Sequence, residues 1–374
     1  MIEYPYIPRK IESTILKYIH TPEIIGVVGP RQCGKTTMLR HIFSNLSGKK
    51  EFLTFEDRKL LELFVKDTDG FIKEFVIPNK YLFIDEFNYA PKGGKLLKYI
   101  IDTQETKIFI SGSSSVDLSI QAVKYLTGRI FIFTLHQFDW EEISKKITFE
   151  EYSLYGGYPR VVLSKTAEEK QLVVKNIYNT YFLREVKDIL GLTDDYKLSQ
   201  MIKGLALQIG NLVEYQEVGN ISELSFRTVK SYANFLEKTF ICRFVKPFFK
   251  NKRVEIVKNP KVYFFDTGLR NYIVEDFRKL DSREDKGALL ENAFAMELIK
   301  HDVKFNFWRS KKQAEVDFIV SRGNRRYQGY EIKYKIGDKD KDSISLRSFR
   351  HQYPRIPVRM LDYALLNKEL KTIL

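Results

Sequence analysis

Short apolar runs and longer helical stretches alternate through the first third of the chain. Ile24-Ile25-Gly26-Val27-Val28 is mostly β-branched and is bounded by Glu23 and Gly29. Glu51–Phe55, Lys80–Ile84, Lys107–Ile110 and Ile130–Thr134 have the same character. Helical periodicity fills Thr36–Leu46, Arg58–Phe64 and Lys95–Asp102 between them. Strands that are apolar throughout are buried on both faces. This rhythm predicts an α/β fold with a parallel sheet covered by helices on each side.

The rhythm stops near Asp139. Glu141–Leu236 reads as mainly helical, interrupted at Gly156-Gly157-Tyr158-Pro159, where Gly-Gly and Tyr-Pro both oppose helix continuation. Leu198–Phe249 reads helix, turn, helix, then two apolar aromatic runs; Lys246-Pro247 and Asn251-Lys252-Arg253 interrupt them. A third section opens near Val262-Tyr263-Phe264-Phe265, with a helix at Ala288–Lys300 and strands at Lys304–Trp308, Glu315–Val320 and Gln328–Lys333. No internal repeat or low-complexity linker marks the boundaries, which we set at 1–140, 141–261 and 262–374.

Composition narrows the class. A chain of 374 residues is long enough for two or three cores, and its apolar content excludes a disordered or fibrous protein. The net charge of +14 draws it toward polyanions, nucleic acid first and an anionic membrane surface second. A solvated Lys-rich surface is the bland alternative. Cys33 and Cys242 are too few for a disulfide framework or a Cys-rich zinc cluster. No apolar run is long enough to span a membrane, and Met1-Ile2-Glu3-Tyr4-Pro5 lacks the regions of a signal peptide. The expectation is a cytoplasmic protein in a reducing compartment, with no membrane partner.

The first candidate chemistry is nucleotide binding. Gly29-Pro30-Arg31-Gln32-Cys33-Gly34-Lys35-Thr36, followed by Thr37, fits the phosphate-loop pattern G-x-x-x-x-G-K-T between an apolar strand and a helix. Glycines let backbone N–H groups converge on phosphate oxygens, and the helix start adds a positive dipole end. Lys35 is expected on the β and γ phosphates of ATP, and the Thr36 hydroxyl on Mg²⁺. Tyr81-Leu82-Phe83-Ile84-Asp85-Glu86 is an apolar strand ending in two acids. Asp85 is expected to hold Mg²⁺ through its water shell, and Glu86 to polarise the attacking water. Ser113 or Ser114, after the next apolar strand, is a candidate for the γ-phosphate or the water. Arg129 is a candidate arginine for the γ-phosphate, in cis or from a neighbour.

Two further constellations follow. Ser225 is a credible N-cap for a second helix, with Arg227, Thr228, Lys230, Ser231 and Asn234 on its exposed face and Val229, Phe235 and Leu236 inward. That is a helix-turn-helix pattern, and the basic stretch Arg243–Lys261 after it is a candidate phosphate-contacting wing. A helical lid packed on the nucleotide domain is the alternative. Near the C-terminus, Asp317 and Glu331-Ile332-Lys333 match a D…E-x-K pattern, and strand alternation puts Glu331 and Lys333 on one face. Asp317 and Glu331 are candidate metal ligands, Glu291 an additional ligand or an outer acid, and Lys333 the base or charge stabiliser. Glu315 is expected to stand apart from this site.

These residues resemble the AAA-type ATPases of archaea and some bacteria that carry a nuclease-like C-terminal domain. The landmarks are Gly29 to Thr37, Leu82 to Glu86, Gly112-Ser113-Ser114, Leu126 to Arg129, Gly156 to Pro159, Pro260 to Leu269 and Glu315 to Phe318. Cys33 departs from the small apolar residue more usual before the second loop glycine. The resemblance implies an AAA-type parallel-sheet domain, a helical and winged-helix region, and a restriction-endonuclease-like fold. The ATP motifs, the excess positive charge and the D…E-x-K set together predict a Mg²⁺- and ATP-dependent enzyme acting on duplex or branched DNA, with a homo-oligomer as one possible state. A slow regulatory ATPase working through a protein partner, and a winged-helix regulator with an inert nuclease fold, are the alternatives.

Overall fold

In a computed structural model of the chain, residues 5–112, 125–182, 196–249, 258–337, 340 and 343–373 are described. They divide into two compact units, Met1–Phe138 and Asp139–Leu374.

The first unit is built on one parallel sheet. In chain order its elements are α1 (Lys10–Leu16), β1 (Ile24–Val28), α2 (Lys35–Asn45), β2 (Lys50–Thr54), α3 (Arg58–Lys66), α4 (Thr68–Phe71), β3 (Tyr81–Asp85), α5 (Gly93–Thr103), β4 (Lys107–Gly112) and β5 (Ile130–Thr134). The strand order is β2-β3-β4-β1-β5 and every pairing is parallel. The central strands β1, β3 and β4 are buried at every position, as their unbroken apolar sequences require. Alternation splits their side chains between two cores. Ile24, Val28, Leu82, Ile84, Ile108 and Ile110 face Phe64, Phe71, Leu97 and Ile100 from α3 to α5. Ile25, Val27, Phe83 and Phe109 face Ile15, Met38, Leu39 and Ile42 from α1 and α2. The expected strands and helices of this unit all form, within a few residues of their expected limits.

The second unit starts with short helices, α6 (Trp140–Ile143), α7 (Phe149–Tyr155), α8 (Pro159–Leu163) and α9 (Ala167–Asn176). Asp139, Thr148 and Thr166 open α6, α7 and α9 with reciprocal capping boxes to Glu142, Glu151 and Glu169. Next come α10 (Tyr196–Leu207), α11 (Tyr215–Ser222), α12 (Phe226–Lys238) and the antiparallel pair β6 (Cys242–Val245) and β7 (Lys261–Phe264). Ile209 and Leu212, between α10 and α11, bridge to Val262 and Lys261 of β7.

The remainder is α13 (Thr267–Ile273), α14 (Lys286–Lys300), β8 (Phe305–Arg309), β9 (Glu315–Ser321), β10 (Tyr327–Ile332), α15 (Ile344–Gln352), β11 (Val358–Leu361) and α16 (Tyr363–Ile373). Its sheet runs β11-β10-β9-β8; β8, β9 and β10 are antiparallel, and β11 joins β10 in parallel.

Two motifs far apart in sequence meet inside this unit. Gly156 ends α7 at φ 78. Gly157 N–H donates to Asp266 Oδ2 at 2.8 Å, and Asp266 Oδ1 accepts from Leu269 N–H at 3.1 Å at the start of α13. Asp266 is buried, and a Cβ on Gly156 would lie 2.1 Å from its Oδ1. Both the close approach and the positive φ exclude a side chain there. Gly156→Ala is therefore expected to destabilise this unit by about 2 kcal/mol or more. The check is the denaturation midpoint of its transition against wild type.

Candidate functional site

The nucleotide loop forms because β1 must leave the sheet and enter α2 within six residues. Gly29 (φ 153) and Gly34 (φ 98) take backbone conformations that favour glycine. A Cβ on Gly29 would lie 2.0 Å from the carbonyl oxygen of Leu135, so only glycine permits this path. Buried Cys33 anchors the loop from below, its Sγ 3.2 Å from the same carbonyl oxygen. Arg9 adds a clamp, donating to the carbonyls of Cys33 at 2.9 Å and His136 at 2.7 Å. Arg31 is half-buried, and Gln32 and Thr37 are exposed. Lys35 is buried and folds back on the loop, donating to the carbonyls of Gly29 at 3.0 Å and Pro30 at 2.9 Å. An ammonium held by two neutral carbonyls at the loop is available to anionic oxygens arriving there.

The two predicted halves of the site meet. Thr36 Oγ1 donates to Asp85 Oδ2 at 2.7 Å. β4 lies between β1 and β3, and its Ser111 completes the join. The Ser111 hydroxyl donates to Asp85 Oδ1 and accepts from the Glu86 backbone N–H at 3.2 Å. Both oxygens of the buried Asp85 are thus met. Glu86 follows in a left-handed conformation, φ 52. Burial pushes its carboxyl above the usual glutamate range, against the opposing pull of Lys35. Hydroxyl and carboxylate oxygens side by side suit a hard divalent cation, so Thr36 and Asp85 fit Mg²⁺.

One expectation is corrected, and another falls outside what the structure describes. Ser113 and Ser114 lie outside the described residues, and Ser111 makes the serine contact. Arg129 precedes the first residue of β5, whose Ile130 is in register with Ile24 at the start of β1. The loop leaves the other end of β1, about 17 Å along the strand. Arg129 pairs with Asp102 there at 3.0 Å, so a role at the loop of its own chain is corrected.

The C-terminal acids also gather, around an unexpected centre. Lys261 of β7 is fully buried. Its Nζ lies 2.9 Å from Glu291 Oε1 and 3.8 Å from Asp317 Oδ1, and it pairs with Glu315. Glu315 is thus part of the cluster, a correction that alternation with Asp317 along β9 explains. The Tyr263 hydroxyl donates to Glu291, and the Ile332 backbone N–H donates to Asp317 Oδ2 at 2.8 Å. Lys333 pairs with Glu331 Oε1 at 2.9 Å, while Glu331 Oε2 is buried without a hydrogen-bond partner. Burial raises the carboxyls of Glu291, Asp317 and Glu331, with Lys261 opposing each. Burial would lower the Lys261 ammonium, but Glu291, Asp317 and Glu315 overcome it and raise it. A divalent ion does not fit among Glu291, Glu315 and Asp317 while that ammonium is there. Among the described residues, the acid–histidine group whose ligand atoms lie within 4.8 Å of one another is Asp139, Glu297 and His301.

Comparison with known proteins matches three stretches of the chain. Residues 21–144 match the family profile described as "AAA domain". Residues 146–284 and 286–369 match two domains of unknown function, DUF8612 and DUF4143. With the loop, the strand-end acids and the sheet order, the first match supports ATPase activity carried by an AAA domain in residues 21–144. Over 91% of its length it is 24% identical to an uncharacterized protein of Haemophilus influenzae, of which 90% is covered. An uncharacterized protein of Mycobacterium tuberculosis is also 24% identical, over 87% of this chain and 73% of that protein. A solved Walker-type ATPase of Pyrococcus abyssi resembles it at 15% identity, covering 72% of this chain and 96% of that one, with a TM-score of 0.49. Among the described residues, no helix is long and apolar enough to cross a membrane.

Ser111→Ala should lower ATP turnover by about 10- to 100-fold with little change in fold, because Asp85 loses a donor. Arg129→Ala should leave turnover unchanged at protein concentrations where the chain is monomeric. Steady-state kinetics paired with circular dichroism check both.

Proposed function

We propose that the chain is an ATP-driven DNA-binding protein in which nucleotide turnover controls engagement of duplex or branched DNA. In this reading residues 1–140 hydrolyse ATP, 141–261 form the helical and winged-helix region, and 262–374 form the restriction-endonuclease-like domain. Lys35 and the loop N–H groups bind the phosphates, and Glu86 orients the attacking water. Thr36 and Asp85 would hold Mg²⁺, which supplies charge neutralisation on the phosphates. Ser111 holds Asp85 and the Glu86 backbone, and Ser113 is retained as a candidate for the γ-phosphate or the water.

One observation carries the DNA reading. α12 buries Val229, Ala233 and Leu236 and leaves Arg227, Lys230, Ser231 and Asn234 exposed. Ser225 caps it, its hydroxyl accepting from the Thr228 N–H at 3.1 Å. A helix, a bridging strand, two helices across a turn and a β-hairpin follow one another here, the order that presents one helix to a groove. Lys230 lies 4.4 Å above the exposed Phe226 ring, which holds its charge on this face. The basic stretch between β6 and β7 adds a sequence-level argument; residues 250–257 of it lie outside the described residues. The helix, three antiparallel strands, helix and parallel strand of α14 to β11 support the nuclease-like reading.

The test is one panel of ATP turnover and binding with single-stranded, duplex, forked and four-way DNA. Lys35→Ala should abolish turnover and leave DNA affinity within about threefold, since phosphate contacts elsewhere supply it. Arg227→Ala with Lys230→Ala should weaken duplex binding and reduce the salt dependence by about one unit per lost contact. Absence of any DNA affinity at low salt overturns the reading.

A further inference from the structure

We propose that the Lys261 ammonium is the resident counter-ion of the C-terminal acid cluster, standing where a restriction-endonuclease-like site holds its divalent cation. As built, the cluster takes up neither Mg²⁺ nor Mn²⁺, and the domain does not cut phosphodiesters. The inference rests on the nuclease-like reading of Asp317, Glu331 and Lys333, and is independent of whether the chain binds DNA.

The argument starts from position. Lys261 Nζ donates to Glu291 and Glu315 and lies 3.8 Å from Asp317 Oδ1, with the Phe307 ring centroid 5.5 Å away. Two of its three N–H groups are thus spent on carboxylates, and the third acid is held by charge at ion-pair distance. Some of the remaining oxygens are engaged as well, while Glu331 Oε2 is buried without a hydrogen-bond partner. Tyr263 donates to the same Oε1 of Glu291, Arg309 meets Glu315 Oε2 at 3.2 Å, and Ile332 N–H meets Asp317 Oδ2. Four acids (Glu291, Glu315, Asp317, Glu331) face three cations (Lys261, Arg309, Lys333), so the charge is already balanced to within one. A divalent ion added beside Lys261 would meet a like charge in a buried, weakly screened setting.

The lysine cannot step aside cheaply. It is the first residue of β7 and pairs with Val245 of β6 and with Leu212. Its neighbours are fixed too: Val213 N–H donates to the Pro260 carbonyl at 2.8 Å, and Gly210 N–H to the Val262 carbonyl at 3.1 Å. The side chain is also fully buried, so an ammonium leaving these acids would have to enter packed interior. The strand that completes the helix-turn-helix module also neutralises the acid cluster.

The test uses the nucleotide-free full chain carrying Asp85→Asn, which removes the carboxylate of the ATP site. Mn²⁺ alone is the probe, followed by titration calorimetry and by thermal unfolding. No Mn²⁺ uptake that depends on Asp317 is expected up to millimolar concentration, with no cutting of any DNA in the panel. Adding Lys261→Met should create one Mn²⁺ site per chain in the micromolar range and raise the melting temperature with Mn²⁺, and Asp317→Asn should remove that site. A folded Lys261→Met chain that gains no Mn²⁺ site overturns the proposal. So does saturable Mn²⁺ binding without the lysine change that Asp317→Asn abolishes. The second comparison decides even if Lys261→Met does not fold. DNA affinity measured in chelator reports separately on the binding reading.

Discussion

A carboxylate taken out of water costs several kcal/mol unless donors meet its oxygens, and each polar centre of this chain is organised by that cost. At the ATP site the acid is Asp85. It sits at the tip of β3, two strands from the loop it serves, and β4 intervenes. Thr36 reaches it from α2 and Ser111 from β4, so one buried acid ties together three elements. Moving any of the three would orphan a charged oxygen. The loop geometry and the position of Glu86 are therefore consequences of satisfying Asp85, and the catalytic arrangement is built before nucleotide arrives.

The C-terminal cluster solves the same problem differently. There the donors are an ammonium, a phenol and a backbone N–H, drawn from β7 and β10. A hydroxyl satisfies one acid and leaves room for a cation, as at Asp85. An ammonium satisfies several and brings its own charge. The identity of the donor thus separates a centre that fits Mg²⁺ from one that does not, although the acids of both were legible in the sequence.

How far the sequence carried can be seen at particular residues. The loop and Asp85-Glu86 were readable because phosphate chemistry constrains spacing along the chain. Glu291, Asp317, Glu331 and Lys333 were readable because alternation and motif order fix them locally. The part played by Ser111 was not singled out because the end of β4 was set too early: the strand runs through Gly112, which places Ser111 beside Asp85. Arg129 misled because a strand read from sequence has no visible partner. Only the register of β5 with β1 shows which end of the sheet it occupies. Lys261 was read as part of a basic wing because charge runs usually face solvent. Nothing in the local sequence says that its partners lie on α14 and β9. After Lys333 no element was expected, yet β11 forms and pairs with β10. Its short, partly exposed sequence carries no clear period.

The later motifs, separated along the chain, depend on one another in space. Gly156-Gly157 and Asp266 are brought together only when α7 meets α13, and Lys261 reaches its acids only through the strand that starts five residues before Asp266. Between them, Tyr263 donates to Glu291, while the Phe264 backbone N–H donates to Asn292 Oδ1 at 2.7 Å and its carbonyl accepts from Asn292 Nδ2 at 3.0 Å. Within residues 261–269, alternate side chains thus lock the preceding helices on one side and α14 with its sheet on the other. A stretch with that many obligatory polar partners cannot shift register by one residue without exposing every one of them. The specificity of that segment in sequence is the signature of a joint between two modules, and the buried lysine is its charged pin.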